Sequence, residues 1–135
     1  MFPDSKNLWR KSIENRRVCR LAISNGHYNA AASRYYYALR LAVHALFKQK
    51  QIHGQRAMDR SGQMVEKWRH NALIAKVDQL FGSKISGIKE ILDMALELRE
   101  KGDYEPFPVA QPRLEVLKRL SRGVFRRILN EIKGI

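Results

Sequence analysis

The stretch SRYYYALRLAVHALF, residues 33–47, is apolar on nearly every side when wound as a helix. A helix of that kind belongs at the centre of a bundle, because no face of it can be left to water at low cost. Around it lie segments with a helical apolar period, and no segment has the alternation of a strand. The expected fold is all-α, an up-and-down bundle of four to five helices.

Helix 1 is expected over about 5–25, capped by Asp4 and closed at Gly26. Helix 2 follows over about 28–49, and so short a connection makes the two antiparallel neighbours. Residues 50–63 are polar, aperiodic and contain Gly54 and Gly62, so they read as a long loop. Helix 3, about 65–81, carries His70, Leu73, Ile74, Val77, Leu80 and Phe81 on one face and ends at Gly82. Helix 4, about 84–101, has its stripe at Ile85, Ile88, Leu92, Ala95 and Arg99, with Gly102 as its stop. After EPFPVAQP, a stiff extended connection, helix 5 over about 112–133 shows the clearest stripe: Leu114, Leu117, Ser121, Val124, Phe125, Ile128 and Ile132. A chain of 135 residues can bury one real core, so 1–135 is expected to form a single domain.

Charge narrows the function. Lysine and arginine number 26 against 13 aspartates and glutamates, for a formal charge of +13. Residues 6–20 hold six bases and one acid, and residues 113–133 hold seven and two, whereas residues 84–105 hold six acids and four bases. A field of this sign draws polyanions, so RNA, DNA or an acidic protein is expected as partner ahead of a neutral metabolite, and the basic cleft is expected to bind nucleic acid or a nucleotide. The single cysteine, Cys19, has no disulfide partner within the chain and reads as a small buried hydrophobe. Neither a signal-peptide core nor a membrane span is apparent, and the expected location is the cytoplasm. With no glycine-rich phosphate loop, HExxH or Ser-His-Asp pattern, no metal and no cofactor are expected.

Ser33, Tyr37, Arg40 and His44 fall on one stripe of helix 2 at about 100° per residue, forming a polar seam that reads as a groove wall. Arg34 lies beside Ala30, Ala38 and Leu41, so it is expected to be buried in an ion pair with Glu90, Asp93, Glu97 or Asp103. Alternating helix directions bring His44, His70, Arg99, Asp103 and Tyr104 to one end of the bundle. There an arginine could stabilise phosphorane charge while His70 or Tyr104 exchanges a proton, without a metal. On helix 5, Arg119, Arg122 and Arg126 line one flank as candidate phosphate contacts.

These segments resemble a known family. AAASRYYYALRLAVHALF is similar to the second helix of HEPN domains, KWRHNALIAKVDQLF to their third, and LELREKGDYEP to the Arg-x-x-x-Asp-Tyr ending of helix 4 in a small stand-alone branch. The resemblance spans about residues 8–130. It implies a helical bundle that usually forms a homodimer and is often encoded beside a small nucleotidyltransferase as a toxin–antitoxin pair. Catalytic relatives are metal-independent RNases that use Arg-x(4–6)-His from both subunits. Counting from Arg99, the permitted positions here hold Tyr104, Glu105 and Pro106, so the histidine of that pattern is missing. The resemblance further implies that Asp103 pairs with Arg34 or Arg99. Tyr104 takes a place comparable to a tyrosine that partner nucleotidyltransferases modify in some family toxins.

Overall fold

A computed structural model describes residues 1–106 and 108–135. Its elements are α1 (Pro3–Ser24), α2 (Tyr28–Gln49), β1 (Gln55–Met58), β2 (Met64–Lys67), α3 (His70–Phe81), α4 (Ile88–Tyr104) and α5 (Gln111–Lys133). The helical bundle is as expected, and α2 is its axis: it packs against α1, α4 and α5 and buries 11 of its residues.

The α1–α2 contact is built from small residues. Ser5, Ser12 and Cys19 are fully buried at seven-residue spacing on α1, and Ala31, Ala38 and Ala45 are fully buried at the same spacing on α2. Ser12 Oγ donates to the Ala38 carbonyl at 2.6 Å and Ser5 Oγ to the Ala45 carbonyl at 2.7 Å. The same antiparallel register sets Cys19 against Ala31. A sustained period of seven keeps one seam facing its partner, and small residues let the two backbones approach. The serine hydroxyls are satisfied by carbonyls of the facing helix, so their burial carries no unmet hydrogen bond.

The ends of the elements differ from expectation for local reasons. Phe2, not Asp4, is the α1 N-cap, with Pro3 in the first turn, where its missing N–H costs nothing. Gly26 has φ of +73°, and the His27 N–H reaches back to the Ala22 carbonyl at 2.8 Å, closing α1 as expected. The α4 helix starts at Ile88 because Gly87 is left-handed, with φ of +81°. Nor does Gly102 stop it. A Cβ there would lie 3.3 Å from both Asn29 Cβ and Val109 Cγ2, so this glycine admits a close approach rather than ending the helix. Leu80, expected on the core face of α3, is 42% exposed. The proline-rich connection is anchored where Asn29 Oδ1 accepts the Val109 N–H at 2.8 Å; its Phe107 lies outside the described residues.

The largest departure is a β-hairpin where a plain loop was expected. Strands β1 and β2 pair antiparallel, with Gln55 opposite Lys67 and Met58 opposite Met64, and α3 therefore begins five residues later than its apolar period implied. The hairpin closes on the Gly62 N–H bonding to the Asp59 carbonyl at 3.1 Å, with Gly62 left-handed at φ of +84°. This is a type I turn followed by a glycine bulge. Asp59 Oδ1 accepts from Ser61 N, Ser61 Oγ and Gln63 N, and these bonds hold its carboxyl below the usual range.

Candidate functional site

Arg40, in the middle of α2, borders three recesses of about 690, 510 and 390 Å3. Two of its guanidinium nitrogens are committed. Nη1 donates to His70 Nδ1 at 2.7 Å, and Nη2 donates to the Trp68 carbonyl. The Tyr36 hydroxyl bonds the same His70 nitrogen. The position of each group follows from its element. Tyr36 lies one turn before Arg40 on α2, His70 opens α3, and Trp68 sits in the two-residue link between hairpin and helix. Residues Trp68 to Ala72, together with Leu96 and Glu100 of α4, complete the 690 Å3 cleft.

A guanidinium only donates hydrogen bonds, so Nδ1 must accept. Neutral His70 is thereby fixed as the tautomer with its proton on Nε2, and the ring's remaining polar group is an N–H. Burial, followed by the charges of Arg40 and Arg99, holds its pKa below the ordinary imidazole value, with Glu100 opposing them. His70 at neutral pH is thus an uncharged donor between two cations. Tyr36 is also disfavoured as a base, since burial raises its pKa against the lowering effect of Arg40.

Arg99 approaches from α4. Its Cζ lies 5.0 Å from the centre of the Tyr37 ring and 5.5 Å from that of Tyr36, and its Nε is 3.6 Å from Asp103 Oδ2. That distance exceeds a hydrogen bond, and Nε is buried without a partner. Ring faces hold the guanidinium by cation–π attraction. The three consecutive tyrosines divide the work: Tyr35 packs edge-on against Phe125 of α5, Tyr36 meets His70, and Tyr37 meets Arg99.

On the other flank of Arg40, Glu66 of β2 gathers a second group. Its Oε1 accepts from Trp68 Nε1 at 3.0 Å and lies 3.6 Å from His44 Nε2; its Oε2 lies 3.3 Å from Lys48 Nζ and 3.7 Å from His53 Nδ1. Desolvation raises the Glu66 pKa, but bonds from the Gly54 N–H, Lys48 and Trp68 outweigh it and leave the carboxyl below its usual range. His44 is lowered by burial, with Glu66 opposing, and its Nε2 is buried without a hydrogen bond.

Arg40, His70 and Arg99 therefore come together, with Asp103 beside Arg99 and His44 just beyond Arg40. Tyr104 is 82% exposed and is not among the residues lining these recesses. The expected buried ion pair of Arg34 is absent: Arg34 is exposed, and its bond, at 3.4 Å, goes to Asn15 Oδ1 of α1. Of its neighbours, Ala38 is buried under α1 but Ala30 is exposed and Leu41 half-buried, so Arg34 sits at the outer edge of the α1–α2 seam and Asp103 is left to Arg99. Arg119, Arg122 and Arg126 are exposed on α5, with no ion pair among the described residues. The sequence reading missed Trp68 and Glu66, because they sit on or beside the unforeseen hairpin. The Asp59 and Gly62 spacing between Met58 and Met64 was the available signal.

Among the described residues no group of histidine, cysteine, aspartate and glutamate could hold a metal ion, and no helix is long and apolar enough to cross a membrane. No curated protein and no solved structure matches the chain closely. The model of one family, described as HEPN domain, does match, over residues 5–135. Both the match along nearly the whole chain and the helical bundle built around α2 place this protein in the HEPN family.

Proposed function

We propose that this HEPN protein is a nucleic-acid-binding module whose site is the Arg40 cleft, acting as a homodimer of the toxin–antitoxin or accessory kind. The observation that carries the reading is the bond from Arg40 to His70 Nδ1, which turns the histidine into a donor. Arg40 and the His70 N–H then offer positive charge and N–H groups to a phosphate, Arg99 adds positive charge from beside Tyr36 and Tyr37, and His70 itself has no nitrogen free to take a proton. Glu66 keeps its charge and is engaged by Trp68 and Lys48, so it ties the hairpin to α2. The half-exposed strip of Ala30, Arg34, Tyr37 and Leu41 on α2 supports the dimer, and a small nucleotidyltransferase is the proposed protein partner.

The test is binding of a fluorescent single-stranded RNA to wild type, Arg40→Gln and Arg99→Gln, with sedimentation of each to read its assembly. Each variant should bind about tenfold or more weakly while its circular dichroism is unchanged, since a hydrogen bond to a charged group contributes about 1.5–3 kcal/mol. Equal affinity for all three would overturn the assignment.

A second reading is metal-independent RNA cleavage, favoured by the proximity of His70 to two arginines. It requires His70 to exchange tautomer, with Arg40 released from Nδ1 when RNA binds. Cleavage in EDTA that is lost in both His70→Asn and Arg99→Gln would establish it in place of simple binding.

A further inference from the structure

On another side of α2, away from His70, α1 and α5 enclose a small recess. Arg16, Arg20, Lys118 and Arg122 line it, Tyr35 forms its floor, and its volume is about 130 Å3. The recess has no carboxylate in its lining, and none of the four cations makes an ion pair among the described residues. Arg16 and Arg20 are an i,i+4 pair on α1, and Lys118 and Arg122 are the same on α5. Each like-charged pair is unfavourable on its own helix, and here the two face each other.

The aromatic floor anchors one of the four charges. Arg16 Cζ lies 4.1 Å from the centre of the Phe125 ring, and Phe125 packs edge-on against Tyr35 at 5.9 Å. The Tyr35 hydroxyl is bonded to Ser121 Oγ, which also donates to the Lys118 carbonyl at 3.1 Å. The floor and Arg16 are thus tied to the core, while Arg20 and Arg122 stand exposed at the rim. Four cations over a buried aromatic floor, in a space too small for a base and sugar, match one compact oxyanion of high charge.

We propose that this recess is a second anion site that takes a phosphate monoester, either a mononucleotide or the terminal phosphate of a nucleic-acid strand. A monoester dianion offsets more of the fourfold charge than a diester does, and its free end can enter where a phosphate flanked by chain on both sides cannot. The site does not depend on the Arg40 cleft, and phosphate binding here stands whether or not that cleft binds RNA.

The experiment uses the full chain at fixed ionic strength. Thermal unfolding is followed with inorganic phosphate or a nucleoside 5′-monophosphate in place of chloride, and binding is compared for one RNA oligonucleotide with a 5′-phosphate or a 5′-hydroxyl. Variants are Arg20→Gln/Lys118→Gln, which spares the Arg16 contact with Phe125, and Lys6→Gln/Arg10→Gln, which removes the same charge at exposed positions outside the recess. Phosphate should raise Tm in wild type and in the second variant but not in the first. For a strand end, the 5′-phosphate should tighten binding about tenfold, again only where the recess is intact. A mononucleotide source is read from stabilisation by the monophosphate without that strand preference. Equal stabilisation of both variants, or none of wild type, would overturn the proposal.

Discussion

His70 links the candidate site to the pH dependence of the fold. Burial and the charges of Arg40 and Arg99 hold its pKa below the ordinary value, while in the unfolded chain it titrates normally. Between those two values the unfolded state binds more protons than the native one, so stability falls as pH drops through that window. His44 acts in the same direction, through burial above all. The urea midpoint should therefore be lower at about pH 5.5 than at about pH 7.5. His70→Asn, which keeps an acceptor near Nδ1 and cannot titrate, should flatten this dependence; an unchanged slope would place the titration in other groups. The sequence marked His70 as inward-facing from its place in the α3 period. It could not show the tautomer, which is set by an arginine 30 residues away.

At the scale of elements, the α1–α2 seam is where the chain's apolar period is least informative. A search for large hydrophobic residues passes over Ser5 and Ser12, yet these and Cys19 form the buried line of α1. Substituting Ser12 by Leu should destabilise the protein by about 1–3 kcal/mol or more, since the added volume must force the helices apart. Ser12→Ala, which removes only the bond to the Ala38 carbonyl, should cost about 0.5–1.5 kcal/mol. Urea titration of the pair checks this, and equal midpoints would show that α1 does not sit as close to α2 as described. The hairpin was illegible for a related reason. Its strands are four residues each and bury little, so they carry almost no apolar alternation, and pairing with each other rather than core burial holds them. Gly54 fits this account: a Cβ there would lie 2.8 Å from both the Lys67 carbonyl and the Trp68 ring, a contact invisible until the strands are paired.

For the whole molecule, the excess of positive charge is distributed so that α1 and α5 form a basic side and α4 carries the acids. Nucleic-acid affinity should fall steeply between about 50 and 200 mM salt, and Arg119→Gln/Arg126→Gln should reduce the slope of log affinity against log salt by up to about 2 if both contact phosphates. An unchanged slope would make them solvated bystanders. The sequence by itself determined the helical class, the core stripe of α5, the burial of Cys19 and the attraction to polyanions, because periodicity and net charge are properties of the chain read in order. It also brought Arg40, His70 and Arg99 into consideration. Tertiary structure alone decided that Arg34 faces water, that Glu66 and Trp68 enter the site, that His70 is a donor, and that four cations of α1 and α5 converge over Tyr35. Each of those depends on which side of a helix meets which neighbour, and on hydrogen bonds and charges between residues far apart in the chain, which no local pattern encodes.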